Sequence, residues 1–225
     1  MKYSDPELLQ YWEAQFIQFL SHQENDDASH DFSHFQRVWK TARQIMEREC
    51  QSVNPLVVLA ACYFHDIVVL PKNHPDRARA STLAAEEAGR CLSMLDFPES
   101  LRSQVCHAIM AHSYSAGINP ETIEAKVVQD ADRMEALGAI GLARVFYTAG
   151  ILKQKLFDPV DPLAENRCPD DRLFALDHFQ LKLLKIAETM QTAEGRRLAQ
   201  SNTGYLTDFI DKLCKELRGD YSPTD

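Results

Sequence analysis

The sequence predicts an all-α protein: a helical bundle with a proline-rich flap and closing helices at its C-terminal end. Apolar residues recur at three- and four-residue steps along most of the 225-residue chain, which is the spacing of helices that bury one face. The alternating pattern of a half-buried strand does not stand out anywhere. Hydrophobic residues make up 45% of the chain, enough for a sizeable core, which argues against global disorder.

Five helices are predicted in the first half of the chain. They cover residues 7–20, Asp31 or Ser33 to Met46, Pro55 towards Pro71, residues 75–95, and Pro98 through His112. The third is apolar on nearly all sides, so it should be the central, buried helix. Asn54 and Pro55 favour its start, and Pro71 should end it. His65 and Asp66 would then lie within its last turn or two, where side chains can face an open cleft.

The second half begins with a turn at 117–120, followed by an apolar segment from Thr122 to Gly150 that should pack across the core. Residues 152–173 contain three prolines and several Asp residues, so we interpret them as an irregular flap. Closing helices follow at 176–190 and 192–217. We expect one domain over 1–225, with a core at about 22–150, a flap at 151–174 and C-terminal helices at 175–217.

Charge and cysteine content narrow the function classes. The formal net charge of -9 disfavours electrostatic binding of nucleic acid or of an anionic membrane over a broad surface. The six cysteines form no C-x-x-C pair and are expected to be reduced thiols. The N-terminal residues lack the apolar core of a signal peptide, and no stretch approaches the ~18 apolar residues that span a bilayer. We therefore expect a cytoplasmic protein without stable nucleic-acid or membrane binding, and a homodimer is left open.

His65 and Asp66 interrupt the edge of the most apolar predicted helix. Adjacent ionisable residues there are costly unless something pairs with them, and a divalent metal ion suits imidazole and carboxylate together. His34 and Asp132 lie in two other segments that could complete such a site. This mixed set fits Mn²⁺, Fe²⁺, Co²⁺, Zn²⁺ or Mg²⁺, and four protein ligands on an octahedral ion leave two positions for water and substrate. Taken singly, His34 and Asp132 are also compatible with capping or solvated roles.

The order His34, His65-Asp66, Asp132 resembles the HD-domain superfamily of metal-dependent phosphohydrolases. Three stretches resemble motifs of its YedJ/YpgQ-like group. They are residues 30–38 (HDFSHFQRV), similar to H-D-x-x-H-x-x-R-V; 64–67 (FHDI), similar to F-H-D-[IV]; and 129–141 (QDADRMEALGAIG), similar to D-A-D-R-L-[DE]-A-[IL]-G-A-I-G. The match continues through residues 175–179, so it covers most of the chain.

The resemblance implies an HD domain with one divalent ion on His34, His65, Asp66 and Asp132. Mn or Mg is expected first, and Fe, Co, Ni or Zn are further options. The resemblance also implies hydrolysis of a phosphate ester or anhydride in a nucleotide or a related small metabolite, by activated water. Between the two acids of the third motif it favours Asp132 as the ligand, so we expect Asp130 to be a cap or an acceptor for other groups.

Several cations and one histidine could assist the reaction. Arg37 follows His34 by three residues and shares its helix face, where it could bind phosphate. The alternative for Arg37 is a salt bridge to Asp66, Asp130 or Glu135. His112, near the end of a helix, could donate a proton, contact phosphate or bind a second metal ion, and a core histidine is the alternative. We assign catalytic roles to Asp66, Arg37, Lys72 and His112, and substrate binding to Arg37, Lys72, Arg77, Arg133 and His112.

Two other function classes stay open beside the phosphohydrolase, which is our leading hypothesis. Many HD hydrolases carry a Glu-Asp pair directly after the HD dipeptide, whereas residues 67–70 here are Ile-Val-Val-Leu. This difference keeps open a nucleotide-sensing module that binds without cleaving. A di-iron oxygenase on the same scaffold would need a second metal ion, for which His112 is the candidate extra ligand.

Overall fold

The computed structural model describes residues 4–21, 32–70, 74–113 and 116–222. Its α-helices are α1 (Pro6–Leu20), α2 (Phe32–Met46), α3 (Pro55–Phe64), α4 (Ala80–Met94), α5 (Glu99–His112), α6 (Ile123–Met134), α7 (Gly138–Ile151), α8 (Asp177–Leu181) and α9 (Ala193–Leu217). Two 3₁₀ helices lie at Arg77–Arg79 and Leu183–Thr189. The described residues contain no strand, only an isolated bridge between Lys155 and Phe174. The predicted all-α fold is therefore confirmed.

The chain divides into two compact units. Unit 1 lies within Met1–Asp132 and Gln191–Gly195, and unit 2 within Arg133–Met190 and Arg196–Asp225. The predicted subdivision into a core, a flap and closing helices stays a prediction. None of the helices in the described ranges is long and apolar enough to cross a membrane.

The core of unit 1 is built around α3, as its all-round apolar sequence predicts. Every residue from Leu56 to Phe64 is fully buried, and α3 packs against α1, α2, α4 and α5. Phe16 of α1 meets Phe64 edge to face, with ring centroids 5.1 Å apart. Burying one such ring contributes roughly 1.5–3 kcal/mol. This packing fixes the end of α3, and with it His65 and Asp66.

Helix α3 begins where the sequence predicts but ends earlier. The Oδ1 of Asn54 accepts a hydrogen bond from the backbone N–H of Leu56 at 3.2 Å and caps the first turn. The last helical residue is Phe64 and His65 is the C-cap, so the prediction that α3 runs towards Pro71 is wrong. The backbone N–H of Ile67 bonds to the carbonyl of Phe64 in a tighter turn. Helix α3 thus ends directly before His65 and Asp66, whose side chains face His34, His112 and Asp132.

Of the other helices predicted in unit 1, some begin where the sequence predicts and some do not. Helices α1 and α5 have the predicted extent, and Pro98 stands at the N-cap of α5. The α-helix predicted from residue 75 begins only at Ala80, after a 3₁₀ turn in which the N–H groups of Arg77 and Arg79 bond to carbonyls three residues earlier. Ser33 lies inside α2 and accepts a hydrogen bond from Arg37, so it is not the cap. The alternative cap, Asp31, lies outside the described residues.

Unit 2 has its own apolar core, contributed by α7, α8, the second 3₁₀ helix and α9. Its fully or nearly fully buried members include Leu137, Leu176, Phe179, Leu183, Ile186, Met190 and Leu206. The apolar segment predicted from Thr122 to Gly150 is two helices, separated at residues 135–137 by a break before Gly138. The closing segment 176–190 is the short α8 followed by a 3₁₀ helix, so the single helix predicted there is wrong. Residues 152–176 contain no helix, as the predicted flap requires.

Candidate metal centre

Three separate elements of unit 1 bring two histidines and two acids together. His34 lies in the first turn of α2, His65 caps α3 with Asp66 next to it, and Asp132 lies near the end of α6. Both imidazoles are fully buried, whereas the Asp66 and Asp132 side chains are 19% and 26% exposed. The cluster is therefore closed on the histidine side and accessible on the carboxylate side.

The potential ligand atoms face one another at short range. The two Nε2 atoms of His34 and His65 are 3.1 Å apart. Asp132 Oδ1 lies 3.6 Å from His34 Nε2 and 3.5 Å from His65 Nε2, and Asp66 Oδ2 lies 3.9 and 3.5 Å from the same two atoms. Neighbouring ligands at about 2.1 Å from an octahedral ion stand about 3 Å apart. The distances from the two imidazole nitrogens are thus close to those between ligands of one shared cation, and the groups that could hold an ion are His34, His65 and Asp66, and His65, His112 and Asp132.

Hydrogen bonding fixes the tautomer that a metal ligand needs. His65 Nδ1 lies 3.0 Å from the carbonyl oxygen of Cys62, and a carbonyl can only accept, so Nδ1 carries the hydrogen. The lone pair of neutral His65 is then on Nε2, which faces the acids. Metal-binding histidines commonly donate their second ring N–H to a backbone carbonyl in this way. The donor set therefore fits a divalent ion, and the cluster could hold one.

The electrostatics of the cluster favour positive charge at its centre. Burial alone would lower the pKa of His65, but the charge of Asp66 and the bond to Asp132 raise that pKa to about 9. Burial would raise the pKa of Asp132, yet the hydrogen bond and charge of His65, helped by His112 and His34, hold it well below its ordinary value. The two acids thus stabilise a cation between them, either a proton on His65 or a metal ion.

His112 belongs to the same cluster. Its Nε2 lies 3.5 Å from Asp66 Oδ1, and its ring packs edge to face on His65 with centroids 4.8 Å apart. His112 Nδ1 donates to the carbonyl of Ile109 at 2.6 Å, so Nε2 is free to accept or, when protonated, to donate. One atom each from His65, His112 and Asp132 also lie within 4.8 Å of one another. The structure thus places His112 beside the four predicted ligands.

The predicted cations have different surroundings. Arg37 Nη1 donates to Ser33 Oγ at 2.6 Å on its own helix, and Arg77 Nη1 donates to the carbonyl of Leu70. Arg133 Nη1, in unit 2, donates to the carbonyl of Thr189 at 2.8 Å. Lys72 lies outside the described residues. Substrate binding by these four side chains stays a prediction.

Asp130 has the role of an acceptor that the sequence led us to expect. It is fully buried, and its carboxylate accepts hydrogen bonds from the backbone N–H groups of Gln191 and Thr192 at 2.9 and 2.8 Å. The Thr192 hydroxyl adds a bond of 2.7 Å. A Cβ on Gly195 would lie 2.4 Å from Asp130 Oδ2, so the start of α9 approaches this carboxylate closely. Asp130 anchors that helix start in unit 1.

One residue of the third motif was missed as a functional candidate. Gln129 is buried, and its Nε2 donates to the carbonyl of Ala111 at 2.6 Å, directly before His112. The sequence does contain a signal for this residue: Gln129 is an uncharged amide that follows the apolar pair Val127-Val128 in a segment expected to pack across the core. The contact itself joins two helices and cannot be inferred from spacing along one of them.

Comparison with known proteins agrees with this geometry. The family model described as HD domain matches residues 31–137, which include all four potential ligands. The uncharacterized protein YpgQ of Bacillus subtilis is 30% identical over 199 residues, which are 87% of this chain and 88% of YpgQ.

Solved structures extend the likeness to the fold. The crystal structure of an HD-superfamily hydrolase from Bacillus thuringiensis is similar with a TM-score of 0.71 and 31% identity, covering 93% of this chain and 98% of that one. The crystal structure of Bacillus subtilis YpgQ in complex with ADP is similar with a TM-score of 0.67 and 29% identity, covering 96% of each chain. On the combined ground of motifs, cluster geometry and these similarities, the chain belongs to the HD-domain family and has the fold of the HD-superfamily hydrolases.

Proposed function

We propose that this protein is a divalent-metal-dependent phosphohydrolase that cleaves a phosphoester or phosphoanhydride of a nucleotide or a related small metabolite. The observation that carries the proposal is the convergence of two imidazole nitrogens and two carboxylate oxygens from three separate elements, in which the nitrogens lie 3.1 Å from each other and 3.5–3.9 Å from each oxygen. Such a set is too polar to be buried without a cation, and its mixed nitrogen and oxygen character fits Mn²⁺ or Mg²⁺.

His34, His65, Asp66 and Asp132 would hold the ion. When bound, a divalent ion supplies Lewis acidity that polarises a phosphoryl oxygen and activates water for attack. The protein's part is to fix the ligands before the ion arrives, through the packing of α3 and the bond from His65 Nδ1 to Cys62. The exposed edges of Asp66 and Asp132 leave the carboxylate side open to substrate.

His112 and the nearby cations would act on the phosphoryl group. Protonated on Nε2, His112 would donate that proton to the leaving oxygen, and the negative charge of Asp66, whose Oδ1 lies 3.5 Å from Nε2, would stabilise the imidazolium until then. Arg37 would neutralise charge that develops on the transferred group, after exchanging its bond to Ser33 for a phosphate oxygen. Lys72 is proposed for the same role from its place in the sequence after the HD dipeptide.

A nucleotide is the preferred substrate class for two reasons. Bacillus subtilis YpgQ has been crystallised with ADP, and its fold covers 96% of this chain. The net charge of -9 disfavours a polynucleotide, whose binding needs many basic contacts along the backbone. A small phosphorylated ligand needs only the local charge of one ion and a few side chains.

The test is a screen for phosphate and pyrophosphate release from nucleotides with Mn²⁺, Mg²⁺, Co²⁺ or Zn²⁺. We expect metal-dependent turnover that falls by at least about a thousandfold in Asp66→Ala, because the site loses a ligand and a charge. Asp208→Ala, an exposed acid of α9, is the matched control and should turn over like the wild type. Turnover in Asp66→Ala equal to that of the control would overturn the proposal.

The same preparations separate the alternatives. A nucleotide-sensing module would bind nucleotide tightly and release no product with any of the four metals. A di-iron oxygenase would hold two irons per chain and consume O₂. The proposed phosphohydrolase should retain one divalent ion per chain and consume no O₂.

A further inference from the structure

The end of α5 is held by a side chain from another helix. The last four carbonyls of an α-helix have no N–H partner within that helix. Ala111 is the penultimate residue of α5, and its carbonyl accepts a hydrogen bond of 2.6 Å from Gln129 Nε2. Gln129 belongs to α6 and is 2% exposed. A donor buried between the two helices thus completes the terminal turn that carries His112.

The geometry fixes the orientation of the Gln129 amide. A carbonyl only accepts, so the atom that faces Ala111 must be the nitrogen. Gln129 Oε1 is then directed elsewhere, and within the part of the chain that the structure describes it has no hydrogen-bond partner. A buried acceptor without a partner is unfavourable, and an apolar side chain of the same length would avoid that penalty. The amide therefore indicates a role for Nε2 beyond filling space.

We propose that Gln129 is a positioning residue for His112, a role that rests on the proposed function of this site. Gln129 precedes Asp132 by three residues, so the two share a face of α6. One rigid helix therefore presents an acid to the ion site and an amide to the end of α5. The bond from His112 Nδ1 to Ile109 sets the ring relative to α5, and the bond from Gln129 sets α5 relative to α6. Together the two bonds hold His112 Nε2 beside Asp66.

A double-mutant cycle isolates this role. Gln129→Met keeps the length of the side chain and removes the donor, and Gln104→Met changes an exposed glutamine of α5 as the control. With the Mn²⁺-loaded protein and a nucleotide that it hydrolyses, we expect Gln129→Met to lower kcat by about 10- to 100-fold. KM and the Kd for Mn²⁺ should stay within about twofold, because the four ligands are unchanged. In a His112→Ala background the same change should alter kcat by less than about twofold.

Two results of this cycle would overturn the proposal. A loss from Gln129→Met of the same size in both backgrounds would show that Gln129 acts on the whole fold and would overturn the proposal. Unchanged kcat in the single variant would overturn it as well. If Gln129→Met does not fold, Gln129→Leu replaces it in the same cycle.

A second measurement does not depend on turnover. Hydrogen exchange of the amides of Ala108–His112 reports the stability of the last turn of α5. In the Mn²⁺-loaded protein we expect faster exchange there in Gln129→Met and no change in Gln104→Met. Equal exchange in the two variants would overturn the proposal. If the wild type hydrolysed none of the nucleotides, the proposed function would fail, whereas the exchange comparison would still decide whether Gln129 holds the turn that carries His112.

Discussion

At the scale of single residues, the two oxygens of Asp66 face different histidines. Oδ2 faces the Nε2 atoms of His34 and His65, and Oδ1 faces His112 at 3.5 Å. Both oxygens of an ionised carboxylate share its charge, so one oxygen can bind an ion while the other stabilises the charge of a protonated imidazole. This double use connects the ion site to the proposed proton donor.

Replacing Asp66 by Asn tests that connection without changing the size of the side chain. The variant loses a negative charge and presents an NH₂ group either to the His34–His65 side or to His112, so we expect the Kd for Mn²⁺ to rise by at least about 100-fold. Isothermal titration calorimetry measures the change, with Asp208→Asn as the control. A Kd within twofold of the wild type would show that Asp66 is not a ligand.

The sequence predicts the members of the cluster better than their mutual contacts. The order of His34, His65-Asp66 and Asp132 was predicted from the resemblance to the HD motifs, which also favoured Asp132 over Asp130. The roles of His112 and Gln129 depend on how α5 meets α6, and no spacing along the chain encodes that contact. Lys72 stays a prediction, since it lies outside the described residues.

At the scale of elements, the break between α6 and α7 depends on one glycine. Gly138 has φ +61, a left-handed conformation that disfavours other residues. A Cβ there would lie 2.2 Å from Asn202 Oδ1, and Asn202 is itself held by a bond of 2.9 Å from Nδ2 to the carbonyl of Leu198. The sequence analysis treated Thr122 to Gly150 as one apolar segment and did not predict this break.

Gly138→Ala should therefore destabilise the protein by about 1–2 kcal/mol, from backbone strain and the displaced Asn202. Gly150→Ala is the matched control in α7, because its Cβ would meet no heavy atom within 4 Å. Alanine is the better helix former, so the control should be neutral or more stable by up to about 1 kcal/mol. Urea unfolding measures both changes, and equal effects of the two substitutions would contradict this account.

In the helix-free segment 152–176, Arg167 bonds to the first residue of α8. Arg167 makes two bonds to the buried Asp177, at 2.6 and 2.8 Å, and the backbone N–H of Asp170 adds a third at 2.6 Å. The guanidinium also stacks 4.6 Å from the centre of the Phe174 ring. Burial would raise the pKa of Asp177, but these donors lower it below its ordinary value. The prolines of this segment predicted its irregular backbone, but they did not predict the contact between Arg167 and Asp177.

The lowered pKa gives this contact a defined dependence on pH. Because the folded pKa of Asp177 lies below the unfolded value of about 4, its stabilisation is complete above that pH and is lost as the pH falls through the folded pKa. Asp177→Asn should lower the free energy of unfolding by about 2–3 kcal/mol at pH 7, and the difference from wild type should shrink below pH 4.

The control for this prediction is Asp171→Asn, which breaks the more exposed pair with His178 and should cost less than about 1 kcal/mol. Thermal unfolding between pH 7 and pH 3 follows both variants. An Asp177→Asn protein as stable as the wild type at pH 7, or a difference that grows towards pH 3, would be incompatible with a stabilising contact between Arg167 and Asp177.

At the scale of the whole molecule, ion binding links elements that are far apart in the sequence. The ligands come from α2, the end of α3 and α6, so a bound ion would cross-link the core of unit 1. An ion that binds only the folded protein stabilises it by about 2.7 kcal/mol at a concentration of 100 Kd. The fold class followed from periodicity, and one ion shared by three segments was expected from the resemblance to the HD motifs.

Removal of the ion should therefore lower the Tm. For a chain of this size we expect a chelator to reduce the Tm by roughly 5–10 °C relative to Mn²⁺ at 100 Kd. Asp66→Asn should show a difference of at most about 1–2 °C, because a Kd at least about 100-fold higher leaves its site no more than half occupied at that concentration. Differential scanning calorimetry decides this, and a wild-type Tm that does not respond to the chelator would contradict a metal ion within the core.

The most direct test of the central claim is an anomalous-scattering map of a crystal grown with saturating Mn²⁺. The account predicts one strong peak about 2.0–2.3 Å from His34 Nε2, His65 Nε2, Asp66 Oδ2 and Asp132 Oδ1. A map with no peak among these four atoms, or with Mn²⁺ bound only elsewhere on the chain, would contradict it.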